Sequence, residues 1–203
     1  MKLNPVELRL VNNPIRAALL RGTMSWFWTA ACAPSLERVL EIGCGQGDGI
    51  REIARRLRPR AVDAFDLDDG QIRRARERLA GLDGLPVRLW VGDAERIGVP
   101  DASYDGVIEL AIFHHIPGWR RALAEVRRVL RPGGLFFFEE LSAEFFSDVP
   151  VVSPLLRRFT VHPWDTMFDF RTFRQALTGA GLRVTALRAR PVPGWHQGVA
   201  VRD

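Results

Sequence analysis

The sequence predicts an α/β fold: a mostly parallel sheet of seven strands with helices on both faces. Two observations carry this. From Arg38 onward, short apolar runs alternate with stretches of helical period, as in chains whose strands are joined by crossover helices. Near the start of that region an apolar strand runs directly into a glycine-rich turn that opens a helix, in VLEIGCGQGDG at 39–49. Strands are expected near 38–42, 61–66, 87–92, 105–110, 134–140, 183–189 and 196–202. Helices are expected near 48–58, 69–80, 118–130 and 169–180, with a short one near Glu95. The third of these follows Pro117 and is stopped by Arg131-Pro132-Gly133-Gly134.

At 203 residues, 47% hydrophobic and 26% charged, the chain has ordinary globular composition and enough length for one core without disulfides or structural metal. It reads as one domain, 1–203. No apolar run approaches the roughly 18–20 residues of a membrane span, and Glu7 and Arg9 interrupt the opening segment before it reaches signal-peptide length. The expectation is a cytoplasmic protein without integral membrane contact. Cys32 and Cys44 read as reduced thiols, and the four histidines stand at no zinc-like spacing with them, so no metal site is expected. A net charge of +5 attracts phosphates at long range. The cations are nearly all arginine, however, with Lys2 the single lysine, and many recur at helical spacing (Arg51, Arg55, Arg58; Arg74, Arg78) as a solvated face would.

Two segments fall outside the strand–helix alternation. Residues 1–37 read as an N-terminal cap, with Pro5, Pro14 and Pro34 around an apolar helical segment that ends in Trp26-Phe27-Trp28. Residues 142–168 carry Phe145, Phe146, Pro150, Pro154, Phe159, Pro163, Trp164 and Phe168, and a connection that long inside a domain reads as a lid. Residues 38–141 form the expected ligand-binding core, and 169–203 supply a final helix and strand pair.

Glycines at 43, 45, 47 and 49 permit positive φ and bring the backbone closer to a ligand than any Cβ allows. Asp66 closes the second strand 23 positions after Gly43, where a carboxylate can accept hydrogen bonds from both hydroxyls of a ribose. The spacing rejects a dinucleotide. G-x-G-x-x-G needs a small residue five places after its first glycine, and those places hold Asp48 or Ile50. Asp48 at the helix N-terminus would also repel a pyrophosphate. No Gly-Lys-Ser/Thr follows, which excludes the phosphate-binding loop of nucleotide hydrolases.

These residues resemble the class I S-adenosylmethionine (SAM) dependent methyltransferases, in particular the broad group of small enzymes that includes the quinone-biosynthesis methyltransferases. The resemblance covers about Val39 to Leu141. Its landmarks fall in order: Glu41 ahead of Gly43, FDLDD at 65–69, VGDAERI at 91–97, SYDGVIELAIFHHIP at 103–117 and LRPGG at 130–134. It implies a Rossmann-like methyltransferase fold with S-adenosyl-L-methionine as cofactor and S-adenosyl-L-homocysteine as product. Position by position, it implies that Gly43, Gly45 and Gly47 line the methionine and ribose portions while Glu41 fixes the loop. Cys44 is a small residue within that loop. Asp66 would bind the ribose hydroxyls and Leu67 would pack on adenine. Asp93 would accept from the adenine amino group, with Ala94 offering its backbone N–H, and the backbone of Glu109 and Leu110 would face the methionine amino group.

Because a sulfonium already activates its methyl group, the protein has mainly to align an acceptor, exclude water and, where needed, remove a proton. His115, His114 and Glu109 stand at the carboxyl edge of the expected sheet and are the candidate bases, His115 foremost because it matches the more regular histidine of the family motif. The expected partner is a small, apolar or aromatic acceptor; a lipid or quinone fits that description. The Asn-Pro-Pro-Tyr-like and Pro-Cys motifs of base methyltransferases are missing, as are the lysines of ribose methyltransferases, which disfavours nucleic acid. Two alternatives remain: an RNA-associated methyltransferase, and a SAM-binding protein without catalysis. If the first reading holds, Trp26–Trp28 and 142–168 should together roof an apolar acceptor pocket beside His115.

Overall fold

Strands whose residues are apolar on both sides must be covered on both faces, and the sheet meets that demand. The computed structural model of the chain describes residues 2, 4–82, 84–147 and 162–203. Seven strands, β1 (Arg38–Ile42), β2 (Ala61–Asp66), β3 (Val87–Val91), β4 (Tyr104–Leu110), β5 (Leu130–Leu141), β6 (Leu182–Ala189) and β7 (Trp195–Arg202), form one sheet in the order β3-β2-β1-β4-β5-β7-β6. All pairings from β3 through β5 are parallel, and β7 is antiparallel to both of its neighbours. Neighbouring residues of β1 feed opposite cores: Leu40 and Ile42 join one cluster, Val39 the other.

One face is covered by α2 (Pro14–Ala30), α3 (Asp48–Arg56) and α4 (Asp69–Leu79), through Met24, Phe27, Ile50, Ile53, Ile72 and Ala75. The other is covered by α5 (Trp119–Val129) and α7 (Phe170–Gly179), through Trp119, Leu123, Val126, Phe173 and Leu177. A short α1 (Pro5–Val11) precedes α2, and α6 (Ala143–Ser147) follows β5. Both N-terminal helices start from an asparagine cap followed by proline at the first helical position. Asn4 Oδ1 accepts from the amides of Val6 and Glu7, Glu7 answers the Asn4 amide to complete a capping box, and Asn13 caps Arg16.

Three expectations are corrected. No helix forms near Glu95: the Asp93 carboxylate accepts from the Glu95 amide, Asp93 pairs with Arg96 in an isolated bridge, and the resulting turn lays Ala94 and Ile97 into the core. Strand β5 begins at Leu130 rather than 134, because Leu130 already pairs with Tyr104. Pro132 and the two glycines are absorbed as an irregularity of the ladder between Tyr104 and Gly106. The cap is two helices rather than one segment. Of the expected lid, residues 148–161, including Pro150, Pro154 and Phe159, lie outside the described residues.

Candidate active site

The order of the strands reverses between β1 and β4, and at such a switch the carboxyl ends diverge and leave a crevice. Here it opens into a cavity of about 510 Å³. Its floor is the loop after β1. Gly43 has φ 67°, and a Cβ there would stand 2.6 Å from the Ile112 side chain, so both the turn and the close approach require glycine. The amides of Gly43 and Cys44 both donate to the Phe65 carbonyl and so tie the loop to β2.

At the end of β2, Asp66 Oδ2 accepts from the Gly45 amide and Oδ1 from the Asp68 amide, both at 2.9 Å. Burial raises its pKa, against those two bonds. Each carboxylate oxygen keeps a second lone pair. Asp66, Leu67, Asp93 and Ala94 line one end of the cavity. Glu41 lies deeper and is 2% exposed. Burial, reinforced by the charges of Asp48 and Asp66 and opposed by Arg16, pushes its pKa up to about 8. Its Oε2 has no hydrogen-bond partner among the described residues, while its Oε1 stands where a Cβ on Gly49 would be. The Cys44 thiol lines the cavity but is buried with its pKa pushed up, a poor nucleophile.

The opposite end is built by the turn after β4. Ala111, at φ 65°, breaks the strand, and the following Ile112 and Phe113 amides both donate to Glu140 Oε1, at 2.9 and 2.7 Å. That turn becomes a single 3-10 turn, Phe113–His115. His114 is thereby buried with Nδ1 2.9 Å from Glu140 Oε2. His115 and His162 complete a wall of three imidazoles with ring centroids 4.2, 4.4 and 5.6 Å apart. Burial and the two neighbouring rings depress the pKa of His115 far below the usual imidazole value; burial and His114 bring His162 down to about 3.

Of the sequence-predicted residues, the fold brings Glu41, Gly43, Cys44, Gly45, Asp66, Leu67, Asp93, Ala94, Leu110, His114 and His115 to this one cavity. Gly47 and Glu109 are not among its lining residues. Gly47 instead caps α3 at φ 89°. Glu109 is fully buried, and its Oε2 shares the Ile112 amide with Glu140. Its burial, with Glu140 beside it, raises its pKa well above the ordinary carboxylate value. The expected roof is also different. Trp26 stacks under Arg188, and Phe27 packs on Phe137 over the sheet. Leu8, Val11, Leu19 and Leu20, nearer the start of the chain, line the cavity instead. From the lid, Phe145, Phe146 and His162 line it, and Trp164 packs behind them against Phe146 and His162.

Sequence reasoning missed Arg16, Glu139, Glu140, Glu7 and His162. Arg16 bridges cap and core: it contacts Glu139 Oε1 at 2.5 Å and donates to the Leu110 carbonyl at 3.1 Å. Thr23 and Gln197 also donate to Glu139, at Oε2. Burial alone would raise the Glu139 pKa, but these three partners outweigh it and hold the carboxyl below its ordinary value. The available signal was the pair Glu139-Glu140 inside an otherwise apolar strand, since adjacent strand residues face opposite sides and two buried carboxylates each need partners.

A family model described as "Methyltransferase domain" matches residues 39–134. A phthiotriol/phenolphthiotriol dimycocerosates methyltransferase of Mycobacterium tuberculosis is 41% identical over 107 residues, 52% of this chain and 38% of the relative. A fatty-acid O-methyltransferase of Mycolicibacterium smegmatis is 37% identical over 136 residues, 65% of this chain and 47% of the relative. The chain thus spans less than half the length of these curated relatives. Among solved structures, a SAM-dependent methyltransferase from Aquifex aeolicus superposes with TM-score 0.75 at 19% identity, covering 100% of each chain. A protein from Pyrococcus horikoshii gives 0.75 at 20%, covering 95% of this chain and 93% of its own; at these identities the likeness speaks for the fold alone. Switch-point crevice, glycine floor, acidic strand end and matched family model agree: residues 39–134 form a methyltransferase domain of the class I SAM-dependent kind.

Proposed function

We propose that the chain transfers a methyl group from SAM to a small apolar acceptor held in the same cavity as the cofactor. The observation that carries this reading is the polarity of the one crevice: acidic at Glu41, Asp66 and Asp93, apolar and histidine-walled at Leu8, Val11, Phe145, Phe146 and His114. The acidic end fits the cofactor. Asp66 has lone pairs for ribose hydroxyls, and the unpartnered Glu41 Oε2 is a buried acceptor beside the loop where a cationic ligand would sit. An anionic pyrophosphate would meet repulsion there.

SAM, when bound, supplies a methyl group already activated by the sulfonium. The chain's own residues then have three tasks. Gly43, Gly45, Asp66 and Leu67 orient the cofactor. The helix at 14–30, tied down through Arg16, and the helix at 5–11 before it exclude water. At the histidine wall, His114 is the residue suited to take a proton, because Glu140 holds Nδ1 and leaves the basic role to Nε2. His115, with its strongly depressed pKa, is a weaker base, and Glu109 does not reach the cavity. The similarity to a phthiotriol/phenolphthiotriol dimycocerosates methyltransferase and to a fatty-acid O-methyltransferase agrees with an apolar acceptor.

The test is calorimetry with SAM, S-adenosylhomocysteine and NAD, followed by transfer of labelled methyl from SAM to long-chain fatty acids and hydroxylated lipids. SAM binding with label in the organic phase supports the reading. Tighter binding of NAD overturns the cofactor, and label passing to RNA rather than lipid overturns the acceptor.

A further inference from the structure

Three histidines separated by up to 48 positions meet at the acceptor end of the cavity, and their arrangement is unlike hydrophobic packing. One potential ligand atom from each of His114, His115 and His162 lies within 4.8 Å of the other two. The side chains of His114 and His162 are 3% and 4% exposed. Burying imidazole nitrogens against Phe146 and Trp164 costs more than burying hydrocarbon there, so a role for the nitrogens is called for.

Two of the rings are backed by carboxylates. Glu140, fully buried, holds Nδ1 of His114 at 2.9 Å, and Glu7, on α1, lies 3.5 Å from Nδ1 of His162. A carboxylate on the far nitrogen fixes ring orientation and raises the donor strength of the near one, the arrangement that accompanies metal-bound histidine.

We infer that His114, His115 and His162 bind one divalent first-row metal ion, of the Zn²⁺ type, with an open coordination position facing the acceptor pocket. A tetrahedral ion with Zn–N of about 2.0–2.1 Å sets its nitrogens roughly 3.4 Å apart, a contraction that small side-chain rotations supply. Three neutral imidazoles and an open position suit Zn²⁺, Co²⁺ or Fe²⁺ rather than Mg²⁺ or Ca²⁺, which take oxygen ligands. The open position would take an oxygen of the acceptor, a hydroxyl or carboxylate; this second half rests on the proposed acceptor pocket. With the ion in place the rings serve as ligands, and lowering the acceptor's pKa passes from His114 to the metal.

The test uses the full chain, freed of any histidine tag and stripped with chelator, with Zn²⁺ and Co²⁺ alone as probes and neither SAM nor acceptor present. The expected result is one equivalent of metal by elemental analysis and a Co²⁺ d–d spectrum of low coordination number. Affinity should fall at least 10-fold in His162→Gln and 10- to 100-fold in Glu140→Gln, and should persist in Cys32→Ser. Zn²⁺ should also slow carbethoxylation of His162 at least 10-fold in the wild-type chain, a readout that needs no variant to fold. Binding below one equivalent, unchanged affinity in His162→Gln, loss in Cys32→Ser, or unprotected His162 each overturns the site. SAM calorimetry on the same samples separates the two proposals: protein that binds SAM but takes up no added metal overturns only this one.

Discussion

Replacing Glu41 by glutamine should flatten the dependence of stability on pH. The native carboxyl is fully buried and its pKa is raised from 4.5 to about 8, chiefly by burial and then by Asp48 and Asp66, with Arg16 acting in the opposite sense. The folded chain therefore holds a proton that the unfolded chain gives up above its ordinary carboxylate pKa. The contribution to stability is fully present below that value and is lost as pH rises through about 8. At ~1.36 kcal/mol per unit, the shift corresponds to roughly 5 kcal/mol at most between acid and alkaline limits. Glutamine has the same shape and does not titrate. Urea denaturation of the SAM-free protein between about pH 5 and pH 9 should show a decline for wild type that exceeds that of Glu41→Gln by several kcal/mol. A second readout is independent of stability. A cationic ligand beside Glu41 favours its ionised form, so SAM binding at neutral pH should release a proton, seen in calorimetry as a dependence of apparent enthalpy on buffer ionisation. That component should vanish in Glu41→Gln. Superimposable pH–stability profiles for the two proteins would refute the reasoning, by showing that the buried carboxyl is already neutralised in some other way.

Two further outcomes are expected. Asp66→Ala should weaken SAM binding by about 1.5–3 kcal/mol for each charged hydrogen bond lost to the ribose, measured by calorimetry; unchanged affinity in the folded variant would show that the ribose lies elsewhere. Arg16→Met should destabilise the protein by about 3–5 kcal/mol, since it strips the cation from the fully buried Glu139. Adding Glu139→Gln should recover most of that loss in chemical denaturation, and no recovery would show that Arg16 acts through packing instead.

Local patterns determined a good deal by themselves. The strands of the parallel core and the glycine loop are consequences of neighbouring residues: apolar runs of strand length, a turn that needs positive φ at Gly43, an acidic residue at the end of β2. The caps of α1 and α2 are equally local, written in Asn4-Pro5 and Asn13-Pro14. Tertiary structure decided which groups share one space. A short helix at Glu95 gave way to a turn because Ala94 and Ile97 gain more from burial against the sheet than a helical turn would return. Trp26 and Trp28 looked like a pocket roof by aromatic content. The rotation of α2 puts Phe27 on the sheet, and the residues a few turns earlier then face the crevice. Above all, nothing in the local sequence connects Glu7, His114, Glu140 and His162. They come together because α1, the turn after β4, the end of β5 and the returning chain converge on the edge where a parallel sheet leaves its crevice, and a buried polar cluster assembled across such distances has no period to read.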